Sequence, residues 1–106
     1  MNTMAAVILD NGRTSVHDGV LAVEFPMGVR YLNSTSLPKD QGHVQVVDGQ
    51  GVLISGISLP RKKHAIFMLS LGVQSNAGDS LIFTVYFHDY EQQCIDTERV
   101  EMFLLK

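Results

Sequence analysis

The feature that most constrains the fold is the run from Ser80 to His88, in which every second side chain is apolar. Leu81, Phe83, Val85 and Phe87 would share one face of an extended strand, while the opposite face is mixed. β-branched and aromatic residues dominate the run, which favours a strand over a helix. A strand with one wholly apolar face predicts a position at the centre of a β-sheet.

Frequent turn signals divide the rest of the chain into short apolar runs. The signals recur about every ten residues, which is typical of a sandwich or barrel, and no linker separates two compositions. We therefore predict an all-β fold with one domain over residues 1–106: an antiparallel β-sandwich or jelly-roll-like barrel of about seven to nine short strands. The signals are Asp10-Asn11-Gly12, Asp18-Gly19, Pro26-Met27-Gly28, Asp48-Gly49-Gln50-Gly51 and Asn76-Ala77-Gly78-Asp79.

Two of these signals predict hairpins. Asn11-Gly12 suits a two-residue turn, because both residues tolerate positive φ, and it would place Asp10 opposite Arg13. The segment 49–51 lies between two further strand-like runs, 43–48 and 52–57. In this second hairpin Val44 and Val46 are expected to point inward.

Further strands follow from the same alternation of side chains. Leu21, Val23 and Phe25 form one core face, and Gly56 is predicted to mark a bulge in its strand. The strand from His64 to Gly72 is predicted to add core residues at Ala65, Phe67, Leu69 and Leu71. A short strand is expected around Val29 and Tyr31, followed by a polar loop over residues 33–42.

The last segment, Asp89 to Lys106, allows two structures. It could form a helix with Asp89 as its N-cap, or a turn followed by a strand from about Arg99 to Leu105. The alternation of Val100, Met102 and Leu104 favours the strand.

Composition narrows the classes of partner. The chain has 106 residues, of which 45% are hydrophobic and 18% charged, with a formal net charge of −3. A charged share below the usual value of about 25% favours association with a partner. The negative charge argues against general binding of nucleic acid, since phosphate contacts need clustered Lys and Arg.

The sequence also bears on the compartment. Cys94 is the only cysteine, so no disulfide can form within the chain, which fits a reducing compartment. The N-terminal run lacks a basic segment typical of a signal peptide, and no stretch approaches about 20 apolar residues. We expect a soluble protein without membrane contact, cytoplasmic or associated with a virion.

No pattern of residues predicts catalysis. His17, His43, His64 and His88 are scattered singly, whereas metal sites usually show closely spaced ligands. Cys94 lies in no nucleophile motif, and the acidic cluster after His88 lacks the spacing of a calcium loop. We therefore predict no catalytic, cofactor-binding or metal-binding residues, although an active site assembled from separate strands stays open.

The triplet Arg61-Lys62-Lys63 is a local basic patch on a chain of net negative charge. It holds three of the eight Lys and Arg residues and follows Pro60. Such a loop can dock an acidic partner or a phosphate. The simpler interpretation, which we favour, is a solvated polar loop between two strands.

The second faces of the two most apolar strands predict an interaction surface. A sheet face that meets water normally carries polar residues, yet Ile66 and Met68 on one strand, and Ile82 and Tyr86 on the other, are apolar or aromatic. Another part of the same chain or another subunit should cover them. We predict that these four residues form the interaction surface.

The leading functional interpretation is a non-enzymatic assembly or binding module that self-associates or docks on a larger protein. The Gly78-Asp79 pair before an apolar strand and the apolar last segment resemble jelly-roll trimer heads, and the size and turn density resemble small phage tail or capsid accessory proteins. No specific motif carries either resemblance, so the sequence assigns no family. The alternative is a small barrel that binds a ligand or single-stranded nucleic acid, with Tyr31, Tyr86, Phe87 and the Arg61–Lys63 loop lining a groove.

Overall fold

The structure, a computed structural model, describes residues 2–10, 15–39, 41–47, 50–74, 81–88 and 99–105. For Asp10 and the last strand only the backbone is described. Eight strands account for most of these residues: β1 Asn2–Asp10, β2 Val16–Glu24, β3 Val29–Leu37, β4 His43–Val47, β5 Gly51–Leu59, β6 His64–Val73, β7 Thr84–His88 and β8 Arg99–Leu105.

The strands form two antiparallel four-stranded sheets, which confirms the predicted all-β sandwich. Sheet A has the order β3-β6-β1-β8, and sheet B has the order β4-β5-β2-β7. Each strand of the first half of the chain pairs with one of the second half in reverse order: β1 with β8, β2 with β7, β3 with β6 and β4 with β5. The chain is therefore a long ribbon of paired strands that crosses from sheet to sheet, as in a jelly roll. The β1–β6 and β2–β5 pairs complete the two sheets.

The core lies between the sheets and is built from alternate residues of the central strands. In sheet A, β6 supplies Ala65, Phe67, Leu69 and Leu71, all at most 2% exposed. The prediction that Phe67, Leu69 and Leu71 are core residues is therefore confirmed. The other buried core residues are Ala5, Val7, Leu9, Val16, Leu21, Val23, Val29, Val52, Ile54, Ile57, Leu59 and Phe87.

The run that predicted a central strand forms an edge strand instead. Among the described strands β7 pairs with β2 alone, so the expected central position is wrong. Its faces are as predicted: Phe87 is buried, while Leu81, Phe83 and Val85 are partly buried against the core. Phe83 packs edge-on against Phe25, with ring centroids 5.9 Å apart. An edge strand buries its apolar face less completely, because it has a neighbouring strand on one side only.

Two bulges lie close together in the β2–β5 pair. Between the Gly19–Ile57 and Leu21–Ile54 pairs, Ser55 and Gly56 lie opposite one residue of β2. Gly56 has a φ of 69°, a conformation that glycine adopts without strain, and the bulge predicted there is confirmed. The second bulge lies in β2, where Asp18 has a φ of 53°.

One of the two predicted hairpins is present. β4 and β5 pair antiparallel from His43–Ser55 to Val47–Gly51, which confirms the second hairpin. Val46 pairs with the buried Val52 and so lies on the inner face, but it is 53% exposed because β4 is an edge strand.

The hairpin predicted at Asn11-Gly12 is wrong, because β1 and β2 belong to different sheets. The turn residues 11–14 themselves lie outside the described residues. The predicted polar loop over residues 33–42 is also too long, since β3 continues to Leu37. At the other end of the chain, the strand predicted from about Arg99 to Leu105 is confirmed as β8.

Within the described ranges, no helix has the length and apolar character needed to cross a membrane.

The different burial of two phenylalanines gives a stability test. We expect Phe67→Ala to lower the free energy of unfolding by about 3–5 kcal/mol, because it opens a cavity between the sheets. Phe83→Ala should cost roughly half as much, since its ring is partly exposed at the edge. Urea denaturation of both variants measures the two costs. A larger loss for Phe83→Ala would contradict the assignment of β7 to an edge.

Gly56 offers a test of backbone conformation alone. A Cβ built on Gly56 has no neighbour within 4 Å, so any loss on substitution comes from the positive φ. We expect Gly56→Ala to cost about 1–2 kcal/mol and Gly56→Asn to cost less, since Asn tolerates this conformation better. Equal stability of Gly56→Ala and the parent protein in thermal denaturation would contradict this.

Candidate binding surfaces

The four residues predicted as one interaction surface lie on two opposite sides of the sandwich. Ile66 and Met68 belong to β6 in sheet A, whereas Tyr86 lies on β7 in sheet B and Ile82 just before it. The expectation of one shared surface is therefore wrong. Alternation within a strand shows which residues face away from the core, but it does not show which strands share a sheet.

The outer face of sheet A carries an apolar patch, here called the sheet A patch. Strand register places its residues in adjacent rows: Leu37, Ile66 and Ile8 form one row, and Thr35, Met68 and Ala6 the next. Met4 extends the patch along β1. The sheet A patch thus comprises Met4, Ala6, Ile8, Leu37, Ile66 and Met68.

Exposure of the sheet A patch is greatest at its margins. Leu37 is 62% exposed and Met4 is 38% exposed, while Ile8, Ile66 and Met68 are partly buried by their neighbours. On this outer face the titratable side chains that the structure describes are at opposite ends: His64 begins β6, and Arg30 lies over Gly72. The described side chains at the centre of the face are therefore apolar and uncharged, and the backbone register places Glu101 of β8 opposite Ile8 at the edge.

The outer face of sheet B has a different character. Tyr86 stacks on His88, with ring centroids 5.9 Å apart, and Tyr86 is 43% exposed. Across the sheet its row continues through Ala22 and Leu53 to Gln45. Three members of this row, Tyr86, Ala22 and Leu53, are apolar or aromatic. Together with the exposed Ile82 they make this face mixed, with polar groups at Gln45 and His88.

The basic triplet lies in the connection between β5 and β6, which crosses from sheet B to sheet A. Arg61, Lys62 and Lys63 are all exposed. Lys63 N–H donates to the Pro60 carbonyl at 3.1 Å, and Lys62 has a φ of 60°, so the loop is a tight turn. Its role in binding an acidic partner stays a prediction.

The groove proposed for the alternative ligand-binding function is not formed. Phe87 is 6% exposed and belongs to the core. Tyr31 lies in sheet A and Tyr86 on the outer face of sheet B, so these rings do not line a common groove. This residue set is therefore wrong as a binding site.

Sequence reasoning missed a cleft of about 540 Å³ between the edge strands β3 and β4. Its apolar part includes Phe67, Val44 and Met68, and its polar part includes the β3 hydroxyl residues and Lys39. The cleft is lined by Ser34, Thr35, Ser36, Leu37, Lys39, Gln41, Gly42, Val44, Phe67 and Met68. Ser34 and Ser36 occupy inward positions, since they pair with the buried Leu69 and Phe67. Two serines at alternate positions are the sequence signal for this opening, but they fall within the polar stretch 33–42 that predicts a loop.

Hydrogen bonds hold the loop beside the cleft. The Ser36 hydroxyl donates to the Pro38 carbonyl at 2.8 Å and accepts the Gln41 N–H at 3.0 Å. The Gln41 side-chain oxygen accepts the Ser58 N–H at 3.3 Å, which ties the loop to β5. Gly42 has a φ of 76°, and a Cβ there would lie 2.5 Å from Ile54 Cγ2. The loop beside the cleft is therefore held in place at Ser36, at Gln41 and at Gly42.

Among the described residues no group of three or more His, Cys, Asp or Glu side chains could hold a metal ion. His43, His64 and His88 lie on three different strands. Cys94, the acidic residues before Arg99 and the Gly78-Asp79 pair lie outside the described residues.

Three solved structures have a similar fold. The first is ChBD2 from Thermococcus kodakarensis, with a TM-score of 0.55 and 19% identity over 88% of this chain and 81% of that one. The second is the chitin-binding domain of a chitinase from Pyrococcus furiosus, with a TM-score of 0.57 and 16% identity over 89% and 80%. The third is a non-cellulosomal cohesin from Archaeoglobus fulgidus, with a TM-score of 0.52 and 17% identity over 90% and 72%.

At these identities the likeness concerns the fold. No family model matches the chain, and no curated protein matches it either.

The Ser36 hydrogen bonds give a local test. We expect Ser36→Ala to lower the free energy of unfolding by about 1–2 kcal/mol, because it leaves the Gln41 N–H and the Pro38 carbonyl without their partner. Thr35→Ala, on the outer face of the same strand, is the matched control and should change stability by less than about 0.5 kcal/mol. Equal losses in urea denaturation would show that the Ser36 bonds do not hold the loop.

Proposed function

We propose that this chain is a non-enzymatic binding module that self-associates through the sheet A patch. The observation that carries the proposal is the continuous apolar row across three strands, Leu37, Ile66 and Ile8. A face exposed to water would carry polar residues at these positions. Burial of the patch against a partner removes apolar surface from water, which stabilises the complex.

The distribution of charge favours a second copy as the occupant of the sheet A patch. In a symmetric dimer the same surface meets itself, so any charge at its centre would face a like charge. The described side chains at the centre of the outer face are uncharged, and Arg30 and His64 lie at its two ends. If the strands of the two facing sheets run antiparallel, Arg30 of one copy lies near His64 of the partner subunit. The two arginines are then far apart.

The size of the face sets the expected affinity. Four strands spaced about 4.8 Å apart, each about nine residues long, give a flat footprint on the order of 600 Å². A standard stable interface buries about 800 Å² on each partner. The dimer is therefore expected to be reversible, with a dissociation constant in the micromolar range.

The similar solved structures support a binding module. Two of them are a chitin-binding domain and a cohesin, and neither is named as a catalytic domain. Docking on a larger protein and a place in a virion remain predictions beyond self-association. A bound polysaccharide is a separate outcome that a sedimentation assay with insoluble chitin would detect.

The test compares solution mass in two matched double variants. We expect the parent protein to pass from 11.7 kDa toward twice that mass as its concentration rises from about 5 μM to about 500 μM. Met4→Lys with Leu37→Lys places like charges on both copies of the sheet A patch, and should keep the protein monomeric. Both residues are exposed, so folding should survive, which circular dichroism checks.

Ile82→Lys with Tyr86→Lys is the control on sheet B and should dimerise as the parent does. A parent protein that stays monomeric throughout this range contradicts the proposal. So does a monomeric sheet B variant beside a dimeric sheet A variant, which would move the interface to the opposite face.

A further inference from the structure

The cleft between β3 and β4 exists because the two edge strands do not seal the core. Ser34 and Ser36 place small hydroxyl side chains at inward positions of β3. Across the opening Val44 lies on the inner face of β4, lines the cleft and is only partly buried. A sandwich that closed at this edge would have apolar residues in contact here. The residue types at inward positions of β3 and β4 therefore produce the opening.

The dimensions and lining of the cleft fit a ligand. Its volume of about 540 Å³ lies within the range of about 300–1,000 Å³ that is usual for binding pockets. Val44 and the exposed Leu37 supply apolar contact area, whereas Phe67 is only 2% exposed and contributes almost none. The exposed side chain of Lys39 also lines the cleft. Apolar walls with a few polar groups that fix orientation are the usual composition of such sites.

The polar groups that are free to bind a ligand are hydrogen-bond donors. The Ser34 oxygen accepts the Tyr31 hydroxyl proton at 2.9 Å, which leaves the Ser34 proton to be donated. Ser36 both donates and accepts within its own loop. Lys39 has donors only, and it is the ionic side chain among the described lining residues. The complementary group on a ligand is an acceptor with negative charge, and a carboxylate meets both requirements.

The edge of β3 favours an extended peptide over a free small molecule. β3 is nine residues long, and its side away from β6 has no partner strand in the described part of the chain. From Asn33 to Leu37, after the irregularity between Tyr31 and Asn33, it contains no charged residue, proline or bulge, the usual features that prevent pairing at an edge. The backbone groups on that side can pair with an added strand.

We infer that β3 and the adjoining cleft bind an extended peptide segment of another protein, which places an apolar side chain against Val44 and Leu37 and a carboxylate near Lys39. The segment adds to sheet A as a strand beside β3. The cleft shares Leu37 and Met68 with the sheet A patch, but the inference does not depend on self-association.

The probe is a phage-displayed library of random heptapeptides selected against the whole protein. We expect the enriched sequences to combine a large apolar residue with Asp or Glu. The enriched peptides, synthesised with blocked ends, are then measured by fluorescence anisotropy. Replacement of their acidic residue by its amide, or of the apolar residue by Ala, should weaken binding roughly tenfold or more.

Three protein variants locate the site. Lys39→Gln should weaken binding of the acidic peptides roughly tenfold and leave the amide peptides unaffected. Lys62→Gln, a loop lysine outside the cleft, is the matched control and should bind as the parent does. Ser34→Leu should block the cleft itself, and its fold is checked by circular dichroism.

The inference is overturned if no sequence is enriched, if the enriched peptides lack acidic residues, or if Lys39→Gln and Lys62→Gln bind them equally. If Ser34→Leu fails to fold, the comparison of Lys39→Gln with Lys62→Gln still shows whether the acidic peptides bind at the cleft. None of these variants alters the apolar residues of the sheet A patch, so failure here leaves the test of self-association intact.

Discussion

The sandwich depends on each strand keeping the same face toward the core along its whole length. In a regular strand the faces alternate with a period of two, so a slip of one residue would turn half of the strand outward. In β5 the buried residues are Val52 and Ile54, then Ile57 and Leu59, which are out of phase with each other. The bulge at Gly56 absorbs the extra residue. Its positive φ lets the strand keep both halves inward, and the second bulge, which includes Asp18, does the same for β2.

The two edges and two outer faces of the sandwich then differ in ways that concern binding. The sheet A patch is aliphatic across three strands, whereas the outer face of sheet B combines Ala22 and Leu53 with the Tyr86–His88 stack and Gln45. At the β3–β4 edge the inward serines keep the core open. Each difference arises from which residue types occupy positions that the backbone makes equivalent. A common fold with solved binding domains thus leaves the choice of surface to the individual sequence.

The alternation of side chains predicted most of the strands and much of the core. It identified Phe67, Leu69 and Leu71 as buried, the β4–β5 hairpin, the bulge at Gly56 and the strand at β8, because these depend on local pattern and turn chemistry. It did not predict which strands pair. Asn11-Gly12 suits a hairpin, but the strands on either side of it belong to different sheets. For the same reason the pattern predicts one surface for Ile66 and Tyr86, although they lie on opposite sides of the sandwich. The cleft depends on the relative position of the edge strands β3 and β4, which the pattern does not predict.

The nested pairing of the strands has a consequence for the order in which the chain can fold. β4 and β5 are joined by a short turn, so their hairpin can form as soon as both have been synthesised. β1 pairs with residues 64–72 on one side and 99–105 on the other, and it must remain without partners until most of the described chain exists. Pairing between distant segments is slow, because the ends of a long loop must meet. Of the strands described, β1 therefore waits longest for its partners, and it carries apolar residues on both faces while it waits.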